Sequence, residues 1–206
     1  MKKTLLLSVA LTLSTLASFG QNVFIGSSLS VGRLFTSPYI REGAPLPFLV
    51  SSQSKLFLSF SLSVDAQVIP VGDEMTVGFH IEPGAGYALG GSGLGSGDPR
   101  FVLQSPLLAQ FNYGNFSSVD ATSNLGVSLG LGLLGHYQIV PDKPTYLAEG
   151  KSMLFLPMAQ LSFRFWGPSN TLYSVKLSHS FGSEDLGGIS HNRSVSYLTV
   201  SRSLNY

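Results

Sequence analysis

The sequence predicts an all-β protein, an eight-stranded antiparallel up-and-down transmembrane β-barrel. Apolar and small polar residues alternate with a period of two, as in KLFLSFSLSVD at residues 55–65, which is typical of a strand with two different faces. Charged residues make up only 11% of the chain, less than half the usual share of a soluble domain. After residue 20, no apolar run approaches the roughly 20 residues that a membrane helix needs.

Residues 1–20 have the pattern of a secretory signal peptide, which leaves a barrel domain at residues 21–206. Lys2 and Lys3 form a short positive region, and a leucine-rich apolar core follows at residues 5–16. Ser18 and Gly20 are small residues at the expected cleavage site. The apolar core is too short for a comfortable membrane anchor, and the chain has no cysteine for a lipoprotein junction or a disulfide framework.

Eight alternating segments have the length that a tilted strand needs to cross hydrocarbon. They are residues 22–35, a second strand that contains residues 55–65 and ends in a turn at residues 70–73, and then residues 74–89, 101–113, 125–140, 152–166, 171–181 and 194–206. The odd-numbered connections are mostly long and rich in Pro or Gly, and we expect them to face outside. The periplasmic turns at residues 70–73 and 167–170 are short, whereas the one at residues 114–124 is longer than the rule prefers.

Each predicted strand has one face for lipid and one face for a narrow lumen. The apolar face of the fifth strand runs along odd-numbered residues from Leu125 to Leu133, opposite mainly glycine and serine. Small residues suit an eight-stranded barrel, whose interior is just wide enough to be filled by its own side chains. Aromatic residues near the strand ends are expected to form interfacial girdles: Tyr113, Tyr137, Phe163, Phe165, Trp166 and Tyr173.

The last ten residues, YLTVSRSLNY, resemble the carboxy-terminal assembly signal of bacterial outer-membrane barrels. Leu204 shares the parity of the terminal aromatic Tyr206, whereas Arg202 interrupts that apolar face near the interface, where its stem can snorkel. From the leader to the final aromatic, the chain resembles the small bacterial outer-membrane β-barrel proteins. The resemblance implies a location in the bacterial outer membrane, with outer-membrane lipid and the barrel-assembly machinery as partners.

The predicted lumen carries charged residues of both signs. Its candidate polar cluster consists of Asp65, His80, Glu82, Arg164 and Lys176, with Gln110, His136 and Gln160 also on inward parity. Charges in such a space are costly unless they are paired. The cluster is therefore expected to act as a plug of salt bridges and hydrogen bonds. The alternative is a narrow, porin-like polar path for small solutes.

No pattern in the sequence assigns a cofactor, a metal or a catalytic site. GLGLLG at residues 130–135 matches a dinucleotide-binding pattern, but it lies within a strand, where it cannot begin a helix. The four histidines are not spaced as zinc ligands. Lipid A deacylases resemble this chain in size and architecture, but their His-x-Ser-Asn signature is replaced here by His179-Ser180-Phe181-Gly182. Adjacent residues of a strand point to opposite faces, so His179 and Ser180 are not expected to share a proton.

The sequence thus favours a non-enzymatic outer-membrane barrel with a structural or surface-binding role, in which the outer loops carry any recognition of an extracellular ligand. A membrane-embedded lipid-modifying hydrolase is one alternative. A soluble secreted β-sandwich or ligand-binding calyx is the other. The mature part carries ten basic and eleven acidic residues, once Lys2 and Lys3 are set aside from the twelve basic residues of the chain, and has no basic stripe for nucleic acid.

Overall fold

The described residues form nine strands, and every pair of neighbouring strands in the sheet is antiparallel. The computed structural model describes residues 23–36, 53–89, 100–114, 123–138, 153–168, 171–185 and 190–205. The strands are β1 (Val23–Thr36), β2 (Gln53–Gly72), β3 (Met75–Ile81), β4 (Gly84–Leu89), β5 (Arg100–Gly114), β6 (Leu125–Gln138), β7 (Met153–Gly167), β8 (Thr171–Asp185) and β9 (Ser190–Asn205). The expected signal peptide at residues 1–20 lies outside the described residues, as do the connections 37–52, 90–99, 139–152 and 186–189.

The strands form a closed antiparallel ring. Each strand pairs with the strands beside it in the order β1-β9-β8-β7-β6-β5-β3-β2, and β1 also pairs with β2. Closure gives every crossing a neighbouring strand on both sides, so the sheet has no open edge, as an environment without water requires. The predicted antiparallel barrel is thereby confirmed.

The segment that was expected to be one strand at residues 74–89 is divided at Glu82 and Pro83. Proline has no backbone N–H, and Pro106 on the neighbouring β5 also lacks one, so the ladder cannot be completed at this point. The nearby backbone groups still bond across the break: Glu82 N donates to Pro106 O at 3.2 Å, and Leu62 N donates to Pro83 O at 3.0 Å.

The two pieces nevertheless form a single crossing of the barrel. Val64 of β2 lies opposite Ile81, and Ser61 lies opposite Gly84, so two residues separate these pairs on each strand and the register does not shift. Both pieces also pair with β5 on their other side. We therefore treat β3 and β4 as one composite strand, β3/β4, which gives the barrel the eight crossings that the sequence predicts.

The end of β2 differs from the prediction. A turn was expected at residues 70–73, but β2 continues to Gly72 and the turn is formed by Asp73 and Glu74. Register shifts between Gln67 and Ile69, and again between Pro70 and Gly72, mark two bulges. Because a bulge adds one residue to one strand, it changes which parity faces outward.

The outward face is apolar over most of its area. Large apolar side chains are exposed on every crossing, with Leu29 on β1, Leu62 on β2, Phe79 and Tyr87 on β3/β4, Leu107 on β5, Leu131 on β6, Phe163 on β7, Leu177 on β8 and Val200 on β9. An apolar surface that encircles a protein in this way is far larger than the scattered patches of soluble monomers.

Aromatic residues gather where β7 and β8 meet their short connection. The rings of Phe165 and Tyr173 stack with centroids 5.8 Å apart, and Trp166 lies 6.2 Å from Phe24. We call the end of the barrel at which β7 and β8 are connected the turn end. The short connection at residues 73–74 lies at the same end. The opposite end, which carries the connections 37–52, 90–99, 139–152 and 186–189, is called the loop end.

No helix among the described residues is long and apolar enough to cross a membrane.

Candidate functional site

The lumen contains an ionic layer between two apolar layers. Near the loop end, ten buried residues pack together: Leu34, Phe57, Ala88, Val102, Leu108, Leu134, Leu156, Met158, Val195 and Tyr197. Near the turn end, Phe24 packs on Leu172. The charged side chains lie between these layers, and both long cations, Arg164 and Lys176, are 1% exposed.

Two salt bridges cross the whole lumen. Arg164 Nη2 of β7 lies 3.2 Å from Asp65 Oδ1 of β2. Lys176 Nζ of β8 lies 2.9 Å from Glu82 Oε2 of β3/β4. In a ring of eight crossings, β7 is four places from β2 in either direction, and β8 is four places from β3/β4. Each salt bridge therefore joins strands on opposite walls of the barrel.

His80 connects the two salt bridges. Its Nδ1 lies 2.8 Å from Asp65 Oδ1, and its Nε2 lies 2.9 Å from Glu82 Oε2. An ionised carboxylate can only accept hydrogen bonds, so an imidazolium, which has two N–H donors, satisfies both contacts. The ring is fully buried and belongs to the same crossing as Glu82.

Neutral polar side chains extend the network. Arg164 donates to Gln110 Oε1 at 3.1 Å and to Asn112 Oδ1 at 3.4 Å. Gln110 Nε2 donates to Gln160 Oε1 at 3.2 Å, and Gln160 Nε2 donates to Ser178 Oγ at 3.0 Å. Besides Asp65 on β2, the guanidinium thus has two neutral partners on β5, as a buried cation requires.

Glycines provide the width that the large lumen residues need. Gly32 lies between Phe57 on β2 and Tyr197 on β9 in the strand register. A Cβ atom at Gly32 would lie 2.4 Å from Tyr197 Cβ and 2.5 Å from Phe57 Cζ. The two rings meet edge to face in front of this glycine, with centroids 6.0 Å apart. Large side chains opposite glycine fill a narrow barrel without overpacking it.

The structure brings together all five residues of the candidate polar cluster, which are Asp65, His80, Glu82, Arg164 and Lys176. Gln110 and Gln160 join the cluster through hydrogen bonds, and His136 is buried at a position opposite Gln104 on β5.

Sequence reasoning missed two residues that contact the charged side chains directly, Asn112 and Ser28. Asn112 accepts from Arg164, and Ser28 donates to Glu82 Oε1. Both residues lie on the inward parity of their strands, which many other polar residues share. Parity alone therefore does not single out these two residues. That requires the three-dimensional register of the strands.

The residues that the sequence pointed to at the carboxy terminus and on β8 differ in which face of the barrel they occupy. Leu204 faces outward and is 41% exposed, and Tyr206 lies outside the described residues. His179 faces outward, whereas Ser180 is fully buried and its hydroxyl contacts the backbone of Val195. His179 and Ser180 therefore have no shared proton path. Among the described residues, no group of three or more His, Cys, Asp or Glu side chains is arranged to hold a metal ion.

No family model and no curated protein matches this chain. Among solved structures, the outer membrane protein OprG from Pseudomonas aeruginosa matches with a TM-score of 0.49 and 16% identity, covering 90% of this chain and 96% of that chain. Neisserial surface protein A matches with a TM-score of 0.48 and 13% identity, covering 89% and 97%. The attachment invasion locus protein Ail of Yersinia pestis, solved with a heparin analogue, matches with a TM-score of 0.34 and 9% identity, covering 88% and 99%.

Proposed function

We propose that this protein is a bacterial outer-membrane barrel with a closed lumen, and that it has a structural or surface-binding role carried by its loop end. The observation that carries the proposal is the pair of salt bridges between opposite walls, Arg164 with Asp65 and Lys176 with Glu82. Side chains that meet across the full width of the lumen obstruct a path for solutes, which supports a closed lumen.

The outward face supports a membrane location. Leu62, Phe60 and Leu125 are 57%, 58% and 70% exposed, and comparable apolar residues surround the barrel. Water would make such a surface a strong aggregation hazard, whereas hydrocarbon covers it at no cost. A soluble sandwich or calyx would instead expose polar side chains on this face.

The apolar layer near the loop end supports the closed state independently of the charges. Phe57, Leu134 and Tyr197 fill the lumen on three strands, with Phe57 and Leu134 at most 1% exposed. Hydrophobic constrictions of this kind exclude water and therefore ions. A solute entering from the loop end would meet this layer before it reached the charged groups.

The loop end is the natural place for recognition. The connections 37–52, 90–99 and 139–152 are longer than the connection at residues 73–74 on the opposite side. Variable loops on a rigid barrel can change without disturbing the scaffold. We propose that an extracellular ligand, if the protein binds one, contacts these loops, and that the barrel-assembly machinery recognises β9 with its outward Leu204.

Cell fractionation combined with heat-modifiable gel mobility tests the proposal. The protein should appear in the outer-membrane fraction and migrate differently before and after boiling. The purified protein in planar bilayers should show no steady open channel. Recovery in the aqueous phase after detergent partition would reject the membrane barrel. A reproducible conductance would reject the closed lumen, and release of fatty acid from purified lipid would reject the non-enzymatic role.

A further inference from the structure

A polar patch interrupts the apolar outward face near the loop end. Arg33 on β1, Ser196 on β9 and His179 on β8 lie side by side, because Arg33 is opposite Ser196 and Ser196 is opposite His179 in the strand register. The side chains of Arg33 and His179 are exposed, and Ser196 is half-buried. Residues directly opposite on neighbouring strands are close enough for their side chains to share a ligand.

The patch contains hydrogen-bond donors as well as a fixed positive charge. His179 Nδ1 lies 2.8 Å from Ser196 Oγ. If the hydroxyl donates to this nitrogen, the other ring nitrogen keeps its N–H. If the nitrogen donates, the hydroxyl keeps its own hydrogen. In either case, the pair retains a donor beside the guanidinium of Arg33.

The surroundings of the patch change from aromatic to aliphatic along the strands. Toward the loop end, Phe35 lies under the Arg33 guanidinium at 4.4 Å, and Phe181 stacks on His179 with centroids 6.1 Å apart. Toward the turn end, the next outward residues are aliphatic: Val31, Leu198 and Leu177. Aromatic residues mark the interfacial level of a membrane barrel, so the patch lies where headgroups meet acyl chains.

An apolar groove begins at the patch. It has a volume of about 600 Å³ and is lined by the three patch residues together with outward residues of the next rows, among them Val31, Leu198, Leu177, Leu161 and Leu129. The side chains of Ala159 and Ser196 are short, so they project little from the barrel surface along one side of the groove. The groove thus runs between two rows of outward side chains, from β1 across β9, β8 and β7 to β6.

The groove descends from the headgroup level into the apolar band. Arg33 is close to the loop end of β1, which stops at Thr36. Leu129, at the far end of the groove, lies in the half of β6 that begins at Leu125 on the turn side. The strand tilt of a barrel produces this inclination. A polar head and an apolar tail are therefore accommodated in the order that a membrane lipid presents them.

We propose that the patch binds the phosphate of a lipid headgroup in the outer leaflet, and that an acyl chain of the same lipid lies in the groove. The inference rests on the proposed membrane location. Arg33 provides the charge that a phosphate group requires, and Ser196 and His179 provide a neutral donor. The aliphatic side chains on the turn side of the patch, Val31, Leu198 and Leu177, would contact the acyl chain. The site should therefore bind a lipid phosphate more tightly than free phosphate.

Native mass spectrometry of the full chain in detergent, titrated with phosphatidic acid, tests this site. Arg33→Gln should weaken binding about tenfold, because a charge-assisted hydrogen bond to the phosphate is lost. Arg202→Gln is the matched control, since Arg202 is also an outward arginine, but on the turn side and outside the groove. That variant should stay within about twofold of the wild type.

Two further ligands and one further variant separate the sources of binding. Diacylglycerol with the same acyl chains lacks the phosphate, and inorganic phosphate lacks the tail, so each should bind at least about tenfold more weakly than phosphatidic acid. Ala159→Leu should weaken phosphatidic acid binding by filling the groove without changing any charge.

Equal binding by wild type and Arg33→Gln would overturn the proposal, as would equal losses in Arg33→Gln and Arg202→Gln. Inorganic phosphate binding as tightly as phosphatidic acid would also overturn it, because the site would then take the free ion. Heat-modifiable mobility of every variant verifies the fold, and His179→Gln replaces Arg33→Gln if that variant does not fold. If the wild type inserts into the membrane and is heat-modifiable but does not bind phosphatidic acid, only this lipid site is refuted. A wild type that does not insert refutes the proposed function as well.

Discussion

Replacing Lys176 by Met should destabilise the barrel, because Glu82 loses its ammonium partner. The ammonium lies 2.9 Å from Glu82 Oε2, and the two side chains are 1% and 2% exposed. Breaking a buried pair by removing one partner typically costs about 3–5 kcal/mol. Ser28 and His80 still contact the carboxylate in the variant, so we expect the cost to lie near about 3 kcal/mol.

The double variant Lys176→Met/Glu82→Gln should be more stable than Lys176→Met alone. It contains no uncompensated carboxylate, because both members of the salt bridge are neutral. The resulting coupling free energy should exceed about 1 kcal/mol. Arg202→Gln removes an exposed outward charge and should change the free energy of unfolding by less than about 0.5 kcal/mol.

Urea unfolding in lipid vesicles measures these differences, and the single tryptophan of the chain, Trp166, provides the fluorescence signal. Single-channel recording on the same samples tests whether the lumen conducts. A cost below about 1 kcal/mol for Lys176→Met would refute the view that the salt bridge is essential to the closed lumen. A double variant no more stable than the single variant would refute the pairing itself.

Three further substitutions test other parts of the fold. Leu129→Arg should impair membrane assembly, with a cost of about 2–4 kcal/mol for an arginine at the lipid face, and an ordinary folding yield in vesicles would contradict its outward placement. Gly32→Ala should lower the urea midpoint, because its Cβ would lie 2.4 Å from a neighbouring side chain. Gly72→Ala is the control, because no atom lies within 4 Å of a Cβ at that position. Similar midpoints for the two variants would rule out the steric explanation. Tyr206→Asp should leave export intact while the protein accumulates in the periplasm, and normal outer-membrane levels would contradict an assembly signal at that residue.

The parity of most strands could be predicted from the sequence, because a period of two depends only on local geometry. Leu129 and Leu131 face outward and His80 and Glu82 face inward, as the alternation indicated. The bulge at Val68 could not be predicted, since an extra residue leaves no clear mark in an apolar run.

The composition of the lumen was predictable only in part. Inward charges of both signs predicted that pairs would form. Which cation pairs with which carboxylate could not be predicted. The pairing of Arg164 with Asp65 depends on the stagger between strands, which is fixed only when the barrel closes. The apolar layer around Phe57 and Leu134 was missed because single inward apolar residues on separate strands look unrelated in a linear sequence.

The salt bridges across the lumen also have a consequence for the order in which the barrel can form. Arg164 and Asp65 are 99 positions apart, and Lys176 and Glu82 are 94 positions apart. The early strands carry the carboxylates and the late strands carry Arg164 and Lys176, so the amino-terminal half alone would have only His80 to pair with both Asp65 and Glu82. Contacts between such distant positions form late, because the chain must first be held in place along its length. We therefore expect neutralisation of the interior to coincide with the joining of β1 and β9, so that a half-assembled sheet has no stable resting state in the bilayer.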